Sequence, residues 1–392
     1  MCVACCVVLE APYPAKIAAA EADLILRPHL LRLSGVPKIE RRNGTAGEGA
    51  PENTPHRTYP RNAHAEKHMK HEPGHTPTAA PAMLEGYAST RPPHTVQSSR
   101  RAQAPHSEGS TMTATIAFLG TGSMNGSIAA GLLAAGHDPA HIRATVRSEE
   151  SRAALAQRLG DQVEIITTGG EADGNHKATA HADVVLLGVK PYGIVELARD
   201  IAPALAPNAV VVSVAAGVTL ETLEACLPAG QPIVRCMPNT PSSVGKGVLA
   251  ISTTDTVKDE QKKLVEEVLG TVGLVVEVRE DQMDAVTAVS GSGPAYAFLL
   301  AEAMAAAGEK LGLDADTALK LASATVAGAG FLLDTNPDAP ALRRAVTSPN
   351  GTTERALNTF VDGGLFQLTE QAMRACAERS AEMSQLYTAD ED

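Results

Sequence analysis

Nothing in these 392 residues approaches the roughly 18 consecutive apolar side chains that cross a bilayer. The best run, Val210 to Val218, is broken by Ser213 and Gly217, so the expectation is no membrane partner. Basic charge is short as well: 33 Lys and Arg stand against 45 Asp and Glu, a formal net charge of −12, which argues against nucleic acid and acidic lipid surfaces. Cysteine is sparse and badly spaced for structural work. Cys2, Cys5 and Cys6 crowd the start while Cys226, Cys236 and Cys376 lie far apart, giving neither a disulfide framework nor paired CxxC zinc ligands. That usage fits a reducing, cytoplasmic setting and no bound metal.

What is present divides into two kinds of sequence. Residues 1–111 hold 13 of the 25 Pro and 8 of the 12 His, contain no Phe, and carry a net charge of +3, leaving −15 for the remaining 281 residues. Without sustained periodicity such a leader buries too little apolar area to offset chain entropy, so it is expected to be disordered. Its opening lacks the flanking charge and cleavage site of a secretory signal, and Glu10, Glu21 and Asp23 speak against a transit peptide. His64, His68, His71 and His75 fall at helical spacing, but Pro73 and Gly74 interrupt that helix, which favours a solvated segment over a metal site. Met112 stands directly before the first clear strand, so the leader is also readable as the product of too early a start codon.

From Met112 onward apolar β-rich runs alternate with helical stretches: Thr115–Leu119, Ile142–Val146, Val163–Thr167, Asp183–Val189, Ala209–Val214, Pro232–Cys236 and Leu274–Val278. That alternation predicts an α/β domain, a mainly parallel sheet covered on both faces, over 112–279. After Glu280 the pattern turns Ala-rich and helical (295–311, 316–333, 353–360 and 365–386), with Asp314 as a cap, predicting an all-helical domain over 280–388. Those helices are too apolar all round for so small a domain to bury, which predicts an intimate dimer.

The turn after the first run, Gly120-Thr121-Gly122-Ser123-Met124-Asn125, matches GxGxxG at its first two glycines and departs at the third. In a Rossmann-like βα unit Gly120 makes the tight turn and Gly122 admits a pyrophosphate to the N–H groups of the helix start, with Ser123 and Met124 behind it. Asn125 stands where a small residue is expected, though Gly126 follows. The second run ends Arg147-Ser148 with no acid to take a ribose 2′-hydroxyl, which favours NADPH; NADH stays open as donor, and so does a plain surface role for Arg147 beside Glu149 and Glu150.

Three more motifs follow: Val189-Lys190-Pro191 and Arg235-Cys236-Met237-Pro238-Asn239-Thr240-Pro241 each close a strand, and Ser290-Gly291-Ser292-Gly293-Pro294-Ala295-Tyr296 opens the first long helix. A fourth, Thr347-Ser348-Pro349-Asn350-Gly351-Thr352-Thr353, opens a later one. Taken with the glycine turn, in this order and at these spacings, the set resembles the pyrroline-5-carboxylate reductase family over essentially all of 112–388. The resemblance implies reduction of a cyclic imine carboxylate with NADPH, the last step of proline synthesis, and an all-helical dimerisation domain whose dimers often build larger rings such as a decamer. It also implies that Asn175, Ala216 and Glu280 help line the cofactor site along with Val189, Lys190 and Pro191, and that the Thr353 hydroxyl lies near the imine nitrogen. The family usually has a second glycine where Asn350 stands.

The residues alone give that chemistry a rationale. A Gly-containing turn at a helix start, Ser348 to Thr352, offers N–H groups and the helix dipole to a substrate carboxylate, with Thr347 and the Ser348 and Thr352 hydroxyls beside them. Thr353 is equally readable as a capping or packing residue. No His, Asp or Lys stands out as a general acid, and a protonated iminium needs none. The nearest rival, a β-hydroxyacid dehydrogenase, wants a Lys within the helix after Tyr296, and that helix carries only Lys310 at its far end. A non-catalytic NADP(H)-binding scaffold would leave the turn at 347–353 without a task. Gly291-Ser292-Gly293 and Gly245-Lys246-Gly247 fit neither a hydrolase elbow nor a phosphate loop.

Overall fold

The structure, a computed structural model, describes residues 113–387. The expectations for 1–111, including the histidine spacing, and for Met112 and residue 388 lie outside the described residues. The chain from 113 begins β1 (Ile116–Leu119), α1 (Ser123–Ala134), β2 (Ile142–Val146), α2 (Glu149–Leu159), β3 (Glu164–Thr167), α3 (Gly174–Thr179), β4 (Val184–Leu187), α4 (Ile194–Ile201), β5 (Val210–Ser213) and α5 (Leu220–Cys226). It continues with β6 (Ile233–Met237), β7 (Gly247–Thr253), α6 (Asp259–Gly270) and β8 (Gly273–Glu277).

The strands form one eight-stranded sheet in the order β3-β2-β1-β4-β5-β6-β7-β8, and β1 to β6 are all parallel. Alternate residues of β1 face opposite layers, as the two-residue period requires. Ile116 and Phe118 join Ile128 and Leu132 of α1, Leu155 of α2 and Val268 of α6, whereas Ala117 and Leu119 join Ala178 of α3, Leu197 of α4 and Leu223 of α5. Both faces are dry, which is why these strands read as continuous Val, Ile and Leu runs.

One strand departs from the alternation. β7 pairs antiparallel with β6, and β8 then pairs parallel with β7. No helix intervenes between β6 and β7; the chain turns through a short 3₁₀ segment, Thr240–Val244, closed by Gly245 at φ 70. The run from Val248 to Thr253 is as apolar as its neighbours, and only the missing crossover helix hides it from a strand-helix count.

The helical half comprises α7 (Met283–Val286), a π turn at Thr287–Gly291, α8 (Gly293–Lys310), α9 (Ala315–Thr335), α10 (Ala339–Ala345), α11 (Thr352–Asp362) and α12 (Leu365–Gln385). Asp314 caps α9 by accepting from the Thr317 N–H at 3.0 Å. The short α10, capped by Asp338, is an addition to the sequence expectation. α8 and α9 pack so closely that a Cβ on Gly308 would stand 3.3 Å from Ala318 Cβ. The buried cluster here is nonetheless three alanines, Ala305, Ala318 and Ala322. Phe298, Leu299, Phe331 and Phe366 lie about two-thirds exposed. No helix among the described residues is long and apolar enough to cross a membrane.

Candidate functional site

The first glycine turn is held by hydrogen bonds and close contact. Gly120 sits at φ 71, in the left-handed region, and its N–H donates to Thr145 Oγ1 at 3.0 Å, while the Thr121 N–H donates to the Thr145 carbonyl at 2.8 Å. A Cβ on Gly120 would lie 2.4 Å from Val189 Cγ1, so the glycine turn after β1 and the Val189-Lys190-Pro191 loop after β4 interlock. β1 and β4 are neighbours where the strand order reverses direction, the place where doubly wound sheets take their ligands.

Gly122 differs. It is exposed, has an ordinary φ of −85, and a Cβ there would meet nothing within 4 Å. Neither backbone nor packing asks for glycine at this position. The first turn of α1 is open above it, and with Ser123 exposed beside it the site fits a dinucleotide pyrophosphate. Lys190 is exposed and precedes Pro191 at the start of a 3₁₀ turn.

Several of the residues expected at the cofactor site have protein partners of their own. The Asn125 side chain is 1% exposed, and its Nδ2 donates to the Leu119 and Leu186 carbonyls at 3.4 and 3.3 Å. Ser148 uses its hydroxyl to cap α2, accepting from the Ser151 N–H at 3.3 Å. Glu280 is bound into a structural link, accepting from Arg235 Nη1 at 2.6 Å and from the Leu220 N–H at 3.2 Å, which leaves only Oε2 free of a partner among the described residues. Arg147 is exposed beyond β2. Its neighbour Glu149 is drawn elsewhere: hydrogen bonds from Thr167 and then Arg152 hold its carboxyl below the usual range. Asn175 lies half-buried on α3, and Ala216 is half-buried just before Gly217, which takes φ 80 under Tyr387 and Met383 of the C-terminal segment.

The turn before α11 is held locally. Asn350 adopts φ 60, a left-handed conformation that glycine takes freely and asparagine tolerates. Its N–H donates to Glu354 Oε2 at 2.7 Å, and the Gly351 N–H donates to the Ser348 carbonyl at 3.0 Å. Thr347 is turned back onto α10, donating to the Arg343 carbonyl at 2.6 Å, and so is less available than expected. Ser348 and Thr352 are exposed and Thr353 half-buried, and no hydrogen bond engages their hydroxyls among the described residues.

Residues that a motif-by-motif reading leaves as loop caps join the two halves. Asn239 donates from Nδ2 to the Ser290 carbonyl at 2.9 Å and accepts from the Val248 N–H at 2.8 Å. A Cβ on Gly291 would stand 2.5 Å from Met237 Cε, so the strand-end motif at 235–241 and the motif at 290–296 are in contact. Ser292 Oγ lies 3.3 Å from Cys376 Sγ on α12, and burial followed by that thiol raises the Tyr296 pKa. Lys310 ends α8, seventeen residues along from Gly293 at its start.

Residues 280–383 match the model of pyrroline-5-carboxylate reductase dimerisation, and residues 115–217 match that of NADP oxidoreductase, coenzyme F420-dependent. A pyrroline-5-carboxylate reductase of Pseudomonas aeruginosa is 43% identical over 275 residues, covering 70% of this chain and 98% of the relative. The chain belongs to the pyrroline-5-carboxylate reductase family. A namesake from Corynebacterium melassecola is also 43% identical, over 273 residues covering 69% of this chain and 98% of its own length. Among solved structures, the Coxiella burnetii reductase superposes with a TM-score of 0.65 at 39% identity, covering 69% of this chain and 98% of that one. The Plasmodium falciparum enzyme, solved with NADP bound, gives 0.59 at 25% identity, covering 70% and 100%. The dimerisation match coincides with the helical half, whose large apolar side chains the single chain leaves exposed.

Proposed function

We propose that this chain reduces 1-pyrroline-5-carboxylate to L-proline with NADPH, the last step of proline synthesis. The observation that carries the reading is the helix start at 348–353: first-turn N–H groups without intrahelical acceptors, a left-handed Asn350, and the Ser348, Thr352 and Thr353 hydroxyls free of protein partners among the described residues. A carboxylate of the cyclic imine docks there. Residues 112–279 hold the dinucleotide, through the first turn of α1 at Gly122, Ser123 and Met124 and through the Val189-Lys190-Pro191 loop, with Asn175 and Ala216 flanking it. Exposed Arg147 takes the 2′-phosphate, and NADH serves as the weaker donor. When bound, the nicotinamide supplies hydride to the imine carbon. The proton on nitrogen becomes that of the amine product, and the Thr353 hydroxyl, able to accept from an iminium and to donate to an amine, holds that atom.

Residues 280–388 carry the substrate turn and the dimer face, and dimers assemble into a larger ring such as a decamer. Residues 1–111 stand outside this machinery. A cytoplasmic setting belongs to the same proposal, supported by the free thiols of Cys226, Cys236 and Cys376. Thr353→Val keeps shape and removes the hydroxyl; turnover should fall about ten- to a thousandfold with the NADPH dissociation constant unchanged. Unchanged turnover in a well-folded variant would remove Thr353 from the reaction.

A further inference from the structure

Asn125 is only 1% exposed and only partly satisfied: its Nδ2 reaches two carbonyls at long range, and its Oδ1 has no partner among the described residues. A buried amide in that state is destabilising compared with an alanine that would fit the same helix, so stability alone does not account for it. Space for it exists because of one neighbour. A Cβ on Gly188 would stand 2.3 Å from Asn125 Nδ2 and 2.5 Å from Cγ, a distance no real pair adopts. Gly188 also donates its N–H to the Leu119 carbonyl at 2.8 Å, one of the two oxygens that Asn125 reaches.

The seam between β1 and β4 is therefore closed by two reciprocal pairs. Gly120 after β1 yields to Val189 after β4, and Gly188 after β4 yields to Asn125 at the start of α1. Each strand end supplies one glycine and one larger side chain. The pairs join the entry and first turn of α1 to the entry of the Val189-Lys190-Pro191 loop, the two segments read as facing the proposed pyrophosphate.

We propose that Asn125 is a positioning residue for the cofactor, matched to Gly188, and that the pair sets the spacing between the helix start and the second loop. The Asn125 amide pins the helix start to both strand ends at once, through Leu119 and Leu186, and any side chain at position 188 would push it off them. The proposal rests on the reading that this crevice takes NADPH, and binding by the unsubstituted protein tests that reading separately.

The experiment is a double-mutant cycle, Asn125→Ala, Gly188→Ala and both together, read by fluorescence titration with NADPH in the absence of imine and by thermal melts of the ligand-free protein. Asn125→Ala should leave the melt unmoved or raised and weaken NADPH about tenfold, the scale of a misplaced binding group. Gly188→Ala should weaken NADPH more. Adding Asn125→Ala to it should then recover about fivefold or more, because contacting residues couple and separated ones do not. If Gly188→Ala fails to fold, folding of the double variant supports the pair, and failure of both overturns it. Unchanged NADPH affinity in Asn125→Ala, or losses that simply multiply in the double variant, would also overturn it. An unsubstituted chain that does not bind NADPH would remove the cofactor reading itself.

Discussion

The sheet half and the helical half solve the burial problem in opposite ways. In the first, Phe118, Ile128, Leu186 and Ile194 are fully enclosed by helices from the same chain. In the second, three alanines are enclosed, and Phe298, Phe331 and Phe366 face outward. One half buries its own core; the other needs apolar surface from elsewhere, and a second copy of the dimerisation region is the source its family match indicates.

The largest effect is expected of Phe331→Asp. A charge placed into a dimer face stays unpaired on assembly, at a cost on the order of several kcal/mol, so the dimer should be lost in light scattering while the sheet half keeps its secondary structure. A dimer that survives would mean that Phe331 lies outside the interface. Next comes Asn239→Ala, which strips the buried bridge between the halves and orphans the Val248 N–H and the Ser290 carbonyl. It should cost about 2 to 4 kcal/mol and split the calorimetric melt into two transitions. A single transition at the original temperature would show that the halves are coupled through other contacts.

Arg147→Ala touches only the sheet half. NADPH binding should weaken by about ten- to a hundredfold, NADH binding should stay put, and the dimer should be unaffected. Equal effects on both dinucleotides would deny a 2′-phosphate contact. The smallest effect is expected at Asp314, whose carboxyl is held below its usual range first by the Thr317 side chain and then by the Thr317 N–H. A depressed folded-state pKa means a contribution that is present above the unfolded value and fades as pH falls through the folded one. Asp314→Asn keeps the cap without the titration, so its melting temperature should converge with that of the unsubstituted protein on acidification below about pH 4. Parallel pH profiles would contradict this.

The parallel strands were legible because burial on both faces writes them as unbroken Val, Ile and Leu runs, and β7 was not because it returns through a 3₁₀ turn instead of a helix. At the site, the tight turn at Gly120 could be read from its spacing between a strand and a helix. Asn125 could not, since a long polar side chain at that position is consistent with facing a ligand or with filling a hole, and the hole belongs to Gly188, sixty-three residues away. Glu280 and Asn239 illustrate the same limit: each is held by partners distant in sequence, Arg235 for one and Ser290 for the other. Local pattern reports what a residue offers. Its orientation is decided by whichever distant atom takes up the offer.

Gly122 carries a consequence of a different order. Because its backbone angle is ordinary and the space above it is open, substitution there leaves the free polypeptide's own energetics almost untouched. Selection for expression, solubility or heat resistance would therefore let this position drift, and only growth that depends on the enzyme's output would hold it. The neighbouring Gly120, pinned by φ 71 and by Val189, is policed by folding itself. Two glycines in one short turn thus answer to separate evolutionary filters, and variants enriched in a stability screen of this protein would retain the first and could lose the second.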